Sequence, residues 1–125
     1  QFSQTRENQV LKSATSDIVS LLNRARSLTL ASVDSSEYGV HFQSDQVIIF
    51  KGKVFSAMAG DNEVINILVP ASISNVTLGG VSDTSGDMYF NRLSGSPSAT
   101  GAITISAFSA SRIITISATG GISLN

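Results

Sequence analysis

Only one stretch of this chain carries a helical pattern, and everything after it is cut into short β-type runs by serine and glycine. Over roughly residues 3–32, Leu11, Ala14, Ile18, Leu21, Ala25 and Leu28 recur at alternating spacings of three and four, which puts all six on one stripe of a helix. No second helix follows to bury that stripe, so it must pack against the strands downstream. The repeat covers only about three heptads and lacks systematic flanking charge pairs, which favours packing within the chain over a coiled coil. Val10 and Leu22 lie off the strict stripe, widen the apolar surface and leave room for a partner helix as well. At the start, Ser3 is the one cap candidate, but Arg6 stands where a capping box needs Glu or Gln. The residues from Gln1 onward already suit a helix interior, so the start reads as cut, with a segment expected upstream.

The helical pattern stops near Ala31–Asp34, where Ser32, Asp34, Ser35 and Ser36 break it. Tyr38–Phe42 and Gln46–Phe50, separated by Gln43-Ser44-Asp45, read as a hairpin. Further strands are expected at Val54–Phe55, at Val64–Val69 as far as Pro70, at Ile73–Leu78 as far as Gly79-Gly80, and at Met88–Phe90. Gly60-Asp61-Asn62, Ser82–Gly86 and Ser94–Ser98 read as turns or loops. The pattern is cleanest in Ala102–Ser106, Arg112–Ser117 and Gly121–Leu124, where Ile103 and Ile105 alternate with Thr104 and Ser106. The expectation is an α+β fold in one domain, 1–125. A long N-terminal amphipathic helix (1–32) packs on an antiparallel sheet or sandwich formed by a β-rich head (38–125).

Composition narrows the function classes. A net charge of −1 and only 14% charged residues argue against a general polyanion binder, so nucleic acid is disfavoured as a partner. The absence of cysteine removes disulfides, thiolate metal sites and Cys nucleophiles. His41 is the single histidine, so metal sites built on His or Cys clusters are excluded by count. No Gly-x-Ser-x-Gly elbow accompanies His41, which sits inside a strand pattern and reads as structural. Asp83-Thr84-Ser85-Gly86-Asp87 resembles neither a catalytic Asp-Thr-Gly nor an EF-hand loop and reads as a polar turn. Gly79-Gly80 lacks the lysine of a phosphate loop. Lys51-Gly52-Lys53 reads as a solvated hairpin tip, and Asn75-Val76-Thr77 matches the short glycosylation pattern. Arg24 and Arg26, beside the stripe, read as a solvated face able to pair with acids of a neighbouring subunit. No catalytic, cofactor or metal site emerges, and the chain reads as non-enzymatic. A hydrolase using His41 is the weakest alternative.

Several stretches resemble a family. Leu21–Ala31 is similar to the "L-x-x-A-R-S-x-A" helix end of the GspH/FimT group of minor pilins and pseudopilins, within the type IV pilin-like proteins. Tyr38–Phe42 sits where that group has an early strand. Met88–Pro97 resembles its "I-x-F-x-x-x-G-x-P" stretch, and Arg112–Ile122 its closing "R-x-I-x-V-x-x-x-G-x-I". The resemblance implies a pilin-like fold and a structural subunit of a type IV pilus or type II secretion pseudopilus, in the tip or initiation complex. It implies an apolar N-terminal helix upstream of Gln1, cleaved and often methylated by a prepilin peptidase. That helix would hold the protein in the inner membrane and then join a helical filament of other pilins or pseudopilins. Loops around 52–62, 79–87 and 94–101 would meet partners. The alternative within the family is an adhesin or DNA-capturing pilin. Some relatives bind DNA through a basic C-terminal region, whereas Gly120–Asn125 here carries no Arg or Lys.

Overall fold

The computed structural model describes residues 2–125, with side chains from Asn8 onward. The described residues form one helix, α1 (Phe2–Leu30), a 3-10 turn (Val33–Ser35) and nine strands. These are β1 (Tyr38–Phe42), β2 (Gln46–Lys51), β3 (Glu63–Asn66), β4 (Ala71–Leu78), β5 (Val81–Asp83), β6 (Gly86–Tyr89), β7 (Gly101–Ala107), β8 (Ala110–Ile116) and β9 (Ile122–Leu124). The strands make two antiparallel sheets, ordered β3-β2-β1-β6 and β5-β4-β7-β8-β9.

This architecture corrects the expected fold class. With one helix of 29 residues and nine strands divided between two sheets among the described residues, the protein is a mostly-β fold with a single helix, not an α+β domain of a long helix on a pilin-like sheet. The turn chemistry after residue 37 is the physical reason. Each Ser- or Gly-rich break starts another short strand; β5 forms where a loop was expected, and β6, expected at Met88–Phe90, starts earlier at Gly86, so that the two flank Thr84-Ser85. Distant pairings then sort the strands. β6 joins β1 through Gly39↔Tyr89 to Phe42↔Gly86, while β4 joins β7 through Ala71↔Ala107 to Leu78↔Gly101. Gly79 and Gly80, with φ of 61° and 82°, form the two-residue link between Leu78 and its partner Val81. Positive φ at both central residues is what such a tight hairpin requires.

The helix ends where small polar residues take the left-handed backbone, Ser32 and Asp34 both at φ 54°. It runs to Phe2, so Ser3 lies within it, and a Ser3 cap falls outside the described side chains. Gln1 also lies outside the described residues. Leu11, Ala14, Ile18, Leu21 and Ala25 are buried, and Leu28 is partly buried against the same core. Leu22, expected to leave room for a partner helix, is instead wholly buried in this chain's own core, as are Thr15 and Thr29. Residues 15, 22 and 29 form a third row at seven-residue spacing beside the rows 11-18-25 and 14-21-28. The helix touches strands of both sheets, chiefly β1, β7 and β8, and the sheets also meet where β4 contacts β6. One cluster joins helix and sheets, with Val40, Phe42, Phe90, Ile103, Ile105, Ile114 and Ile116 at its centre.

Other departures are local. Val54–Phe55 is a loop, its expected strand replaced by the stacking of Phe55 on His41. The Val64–Val69 run stops pairing after Asn66, leaving Leu68 and Val69 in an exposed turn. Among the described residues no helix is long and apolar enough to cross a membrane.

Candidate functional site

Two regions of the helix gather the residues with functional potential. The first lies toward its C-terminal end. Arg26 donates from Nε to the Gly95 carbonyl at 3.1 Å and from Nη2 to the Thr119 carbonyl at 3.3 Å. Gly120, at φ 93°, packs so closely that a Cβ there would strike the Gly95 carbonyl oxygen and come within 2.5 Å of Arg26 Nε. Gly95 itself, at φ 72°, lies in the hairpin-like loop closed by the Phe90–Pro97 bridge and the Asn91 side chain bonded to Ser96. Arg26 is therefore not a solvated cation. It ties the helix to two loops, its fork of donors meeting two backbone acceptors at once.

Nearby, Thr29 holds the helix to the first strand. Its hydroxyl donates to the Ala25 carbonyl at 2.9 Å and accepts from the Tyr38 amide at 3.0 Å. Arg24 behaves as a surface cation, making a two-pronged pair with Glu63 at 3.0 and 3.1 Å. The hydrogen bonds and then the charge of Glu63 push its guanidinium above the ordinary value. Lys51 reaches Asp34 at 3.0 Å, and that hydrogen bond likewise raises its ammonium. Lys53 stands 5.7 Å from the Tyr89 ring centre.

The second region flanks the N-terminal half of the helix. On one side, a groove of about 320 Å³ runs between the helix and β3, lined by Val10, Ala14, Ile18, Ile65, Ile67 and Leu68, with Asp17 among them. On the other side, a groove of about 330 Å³ faces β9, lined by Val19, Ile122 and Leu124 with Lys12 and Arg112. Each groove is bordered by an edge strand, β3 of one sheet and β9 of the other.

The remaining sequence candidates have structural partners. His41 lies on β1, with Nδ1 3.1 Å from Asp87 Oδ1 and Nε2 3.2 Å from Gln43 Oε1. The Gln43 amide nitrogen donates to Asp45, which fixes the amide oxygen toward the ring. The ring also stacks on Phe55 with centroids 3.9 Å apart. These contacts bring no hydroxyl nucleophile to it. Asp83 accepts from the Thr84 amide at 2.7 Å, closing the polar turn. Asn75 lies in β4 with its amide donating to Thr77 Oγ1 at 2.9 Å. Among the described residues no cluster of three or more His, Cys, Asp or Glu could hold a metal ion. Of the loops assigned to partners, 52–62 exposes Val54 and Met58, 79–87 contains β5 with Val81 exposed, and 94–101 contains Gly95.

Sequence reasoning missed Thr15, Thr29 and the role of Arg26. The heptad rows place the two threonines on the buried side. Nothing local marks Arg26, because its partners are backbone carbonyls 69 and 93 residues away.

No family model, curated protein or solved structure matches the chain.

Proposed function

We propose that this chain is a non-enzymatic structural subunit, a minor pilin or pseudopilin of a type IV pilus or type II secretion pseudopilus, acting in its tip or initiation complex. The observation that carries the reading is the convergence on Arg26. The helix-end motif supplies the arginine, the Gly95–Pro97 stretch supplies one carbonyl, and the closing Thr119-Gly120-Gly121 supplies the other with a glycine only a bare backbone can fill. Three loose motifs, far apart in sequence, thus act as one packing unit. That supports treating them as a single signature rather than three coincidences. The two-sheet architecture plays no part in this reading, since folds host many functions.

In this reading an apolar segment N-terminal to Gln1 anchors the protein in the inner membrane and then joins the filament core. The anchor needs about 20 apolar residues. The coding sequence upstream of Gln1 tests it, followed by co-expression of the full-length protein with a prepilin peptidase. An apolar segment of that length behind a peptidase site, with the corresponding mass loss on processing, is the expected result. A start codon close to Gln1 without such a segment overturns the reading.

A further inference from the structure

The grooves on the two sides of the helix differ in charge and match in size. Asp17 and Lys12 are five positions apart, so they project about 140° apart around the helix, one into each groove. Among the described residues neither side chain has an ion-pair partner. Arg112 joins Lys12 on the basic side, its Nε donating to the main-chain oxygen of Asn125 at 2.7 Å. On the acidic side Asp17 is the one charged residue lining the groove among the described residues, and beyond it Arg24 and Glu63 neutralise each other. Apolar side chains rim both grooves, Leu68 at 74% exposed on the acidic side and Leu124 at 41% on the basic side.

From this arrangement we infer that the grooves are the two halves of a head-to-tail interface, and that the occupant of each is a second copy of this chain. The basic flank beside β9 of one copy seats against the acidic flank beside β3 of the next. Lys12 and Arg112 then face Asp17, while Ile122 and Leu124 meet the Leu68 side of the opposing groove. Because the two patches differ, the contact is heterologous and leaves a free patch at each end. It therefore propagates rather than closing as a two-fold dimer. Both strands at the contact are short edges, and an added neighbour covers the edges that a lone domain leaves open. The inference deepens the filament reading, on which its biological sense rests.

The test measures self-association of the 125-residue chain by sedimentation over a concentration series at low and high salt, with far-UV circular dichroism checking that each variant folds. Asp17→Lys alone, or Lys12→Glu with Arg112→Glu, should weaken association roughly fivefold to thirtyfold, because attraction becomes repulsion. Mixing the two reversed proteins should restore it, each now offering the charge the other lacks, and high salt should weaken both wild type and mixture. A chain that stays monomeric throughout overturns the inference, as does association indifferent to the reversals or reversed proteins that fail to rescue one another. None of these outcomes touches the upstream segment or its processing, so the filament reading stands or falls separately.

Discussion

Replacing Arg26 by Met keeps most of the aliphatic stem and removes both donors, so it isolates the tie between the helix and its two loops. The bond to Gly95 is partly buried and charge-assisted, a class worth about 1.5–3 kcal/mol. The bond to Thr119 is longer and exposed, and it belongs at the lower end, about 0.5 kcal/mol. Once the guanidinium is gone, water can reach the Thr119 carbonyl but only partly the Gly95 carbonyl, so the expected loss is about 2–3 kcal/mol. For a domain of this size, with an unfolding entropy near 2.1 cal/mol/K per residue, that corresponds to a melting point lower by roughly 8–12 °C. Thermal unfolding by circular dichroism reads the global effect. Amide hydrogen exchange reads the local one, with protection lost first around Gly95 and Gly120. Arg26→Lys should recover less than half, since one ammonium does not reproduce a planar fork spanning two carbonyls. A melting point within about 2 °C of wild type, with exchange in both loops unchanged, would refute the claim that Arg26 clamps them.

Three further substitutions probe the packing. Leu22→Ala empties a fully buried site between helix and sheets and should cost about 2–5 kcal/mol in urea denaturation; a loss below about 1 kcal/mol would mean Leu22 is not core. Thr29→Val keeps shape but orphans the buried Tyr38 amide, and should cost about 1–3 kcal/mol with faster exchange at Tyr38. Gly101→Ala would drive a methyl group into the Thr77 carbonyl of the neighbouring strand, so about 1–3 kcal/mol should be lost and the β4–β7 amide resonances should move. Unchanged spectra would show that the strands part more easily than the close approach implies.

What could be read from the sequence follows from how local each determinant is. The helical stripe and the alternation of Ile103, Ile105, Ile114 and Ile116 are near-neighbour patterns, and their residues are buried except Leu28, which is partly so. Partition into two sheets is not local. It depends on β1 pairing with β6 across more than forty residues and on β4 reaching β7, pairings that no periodicity announces. The α+β expectation fails for that reason. Val54–Phe55 looked like a strand because its residue types favour one, but Phe55 is instead held by a ring stack on His41 and an edge contact with Phe50. In the Val64–Val69 run, apolar character persists past the last paired residue, so the sequence pattern extends the strand into what is a hydrophobic turn. The grooves are not legible in the sequence because each is half helix and half edge strand, an adjacency created only when the chain folds.

The two regions of the helix make separable demands, and that separation can be tested in one set of proteins. Arg26 acts within the chain, at the C-terminal half of α1, on loops that come from the far end of the sequence. Asp17 and Lys12 lie on the N-terminal half, carry no intramolecular ion pair among the described residues, and so add little to the fold of a single copy. If the first region holds the domain together and the second joins it to a neighbour, the two should respond to mutation independently, as distant sites without shared partners do. Arg26→Met should lower the melting point while leaving the association constant of the remaining folded protein unchanged, whereas Asp17→Lys should do the reverse. Combining them should give the sum of the two effects within about 0.5 kcal/mol. A larger coupling, or an Asp17→Lys protein that melts as early as Arg26→Met, would show that the acidic groove is part of the domain's own stability. In that case its unpaired charge would need an explanation other than a second copy.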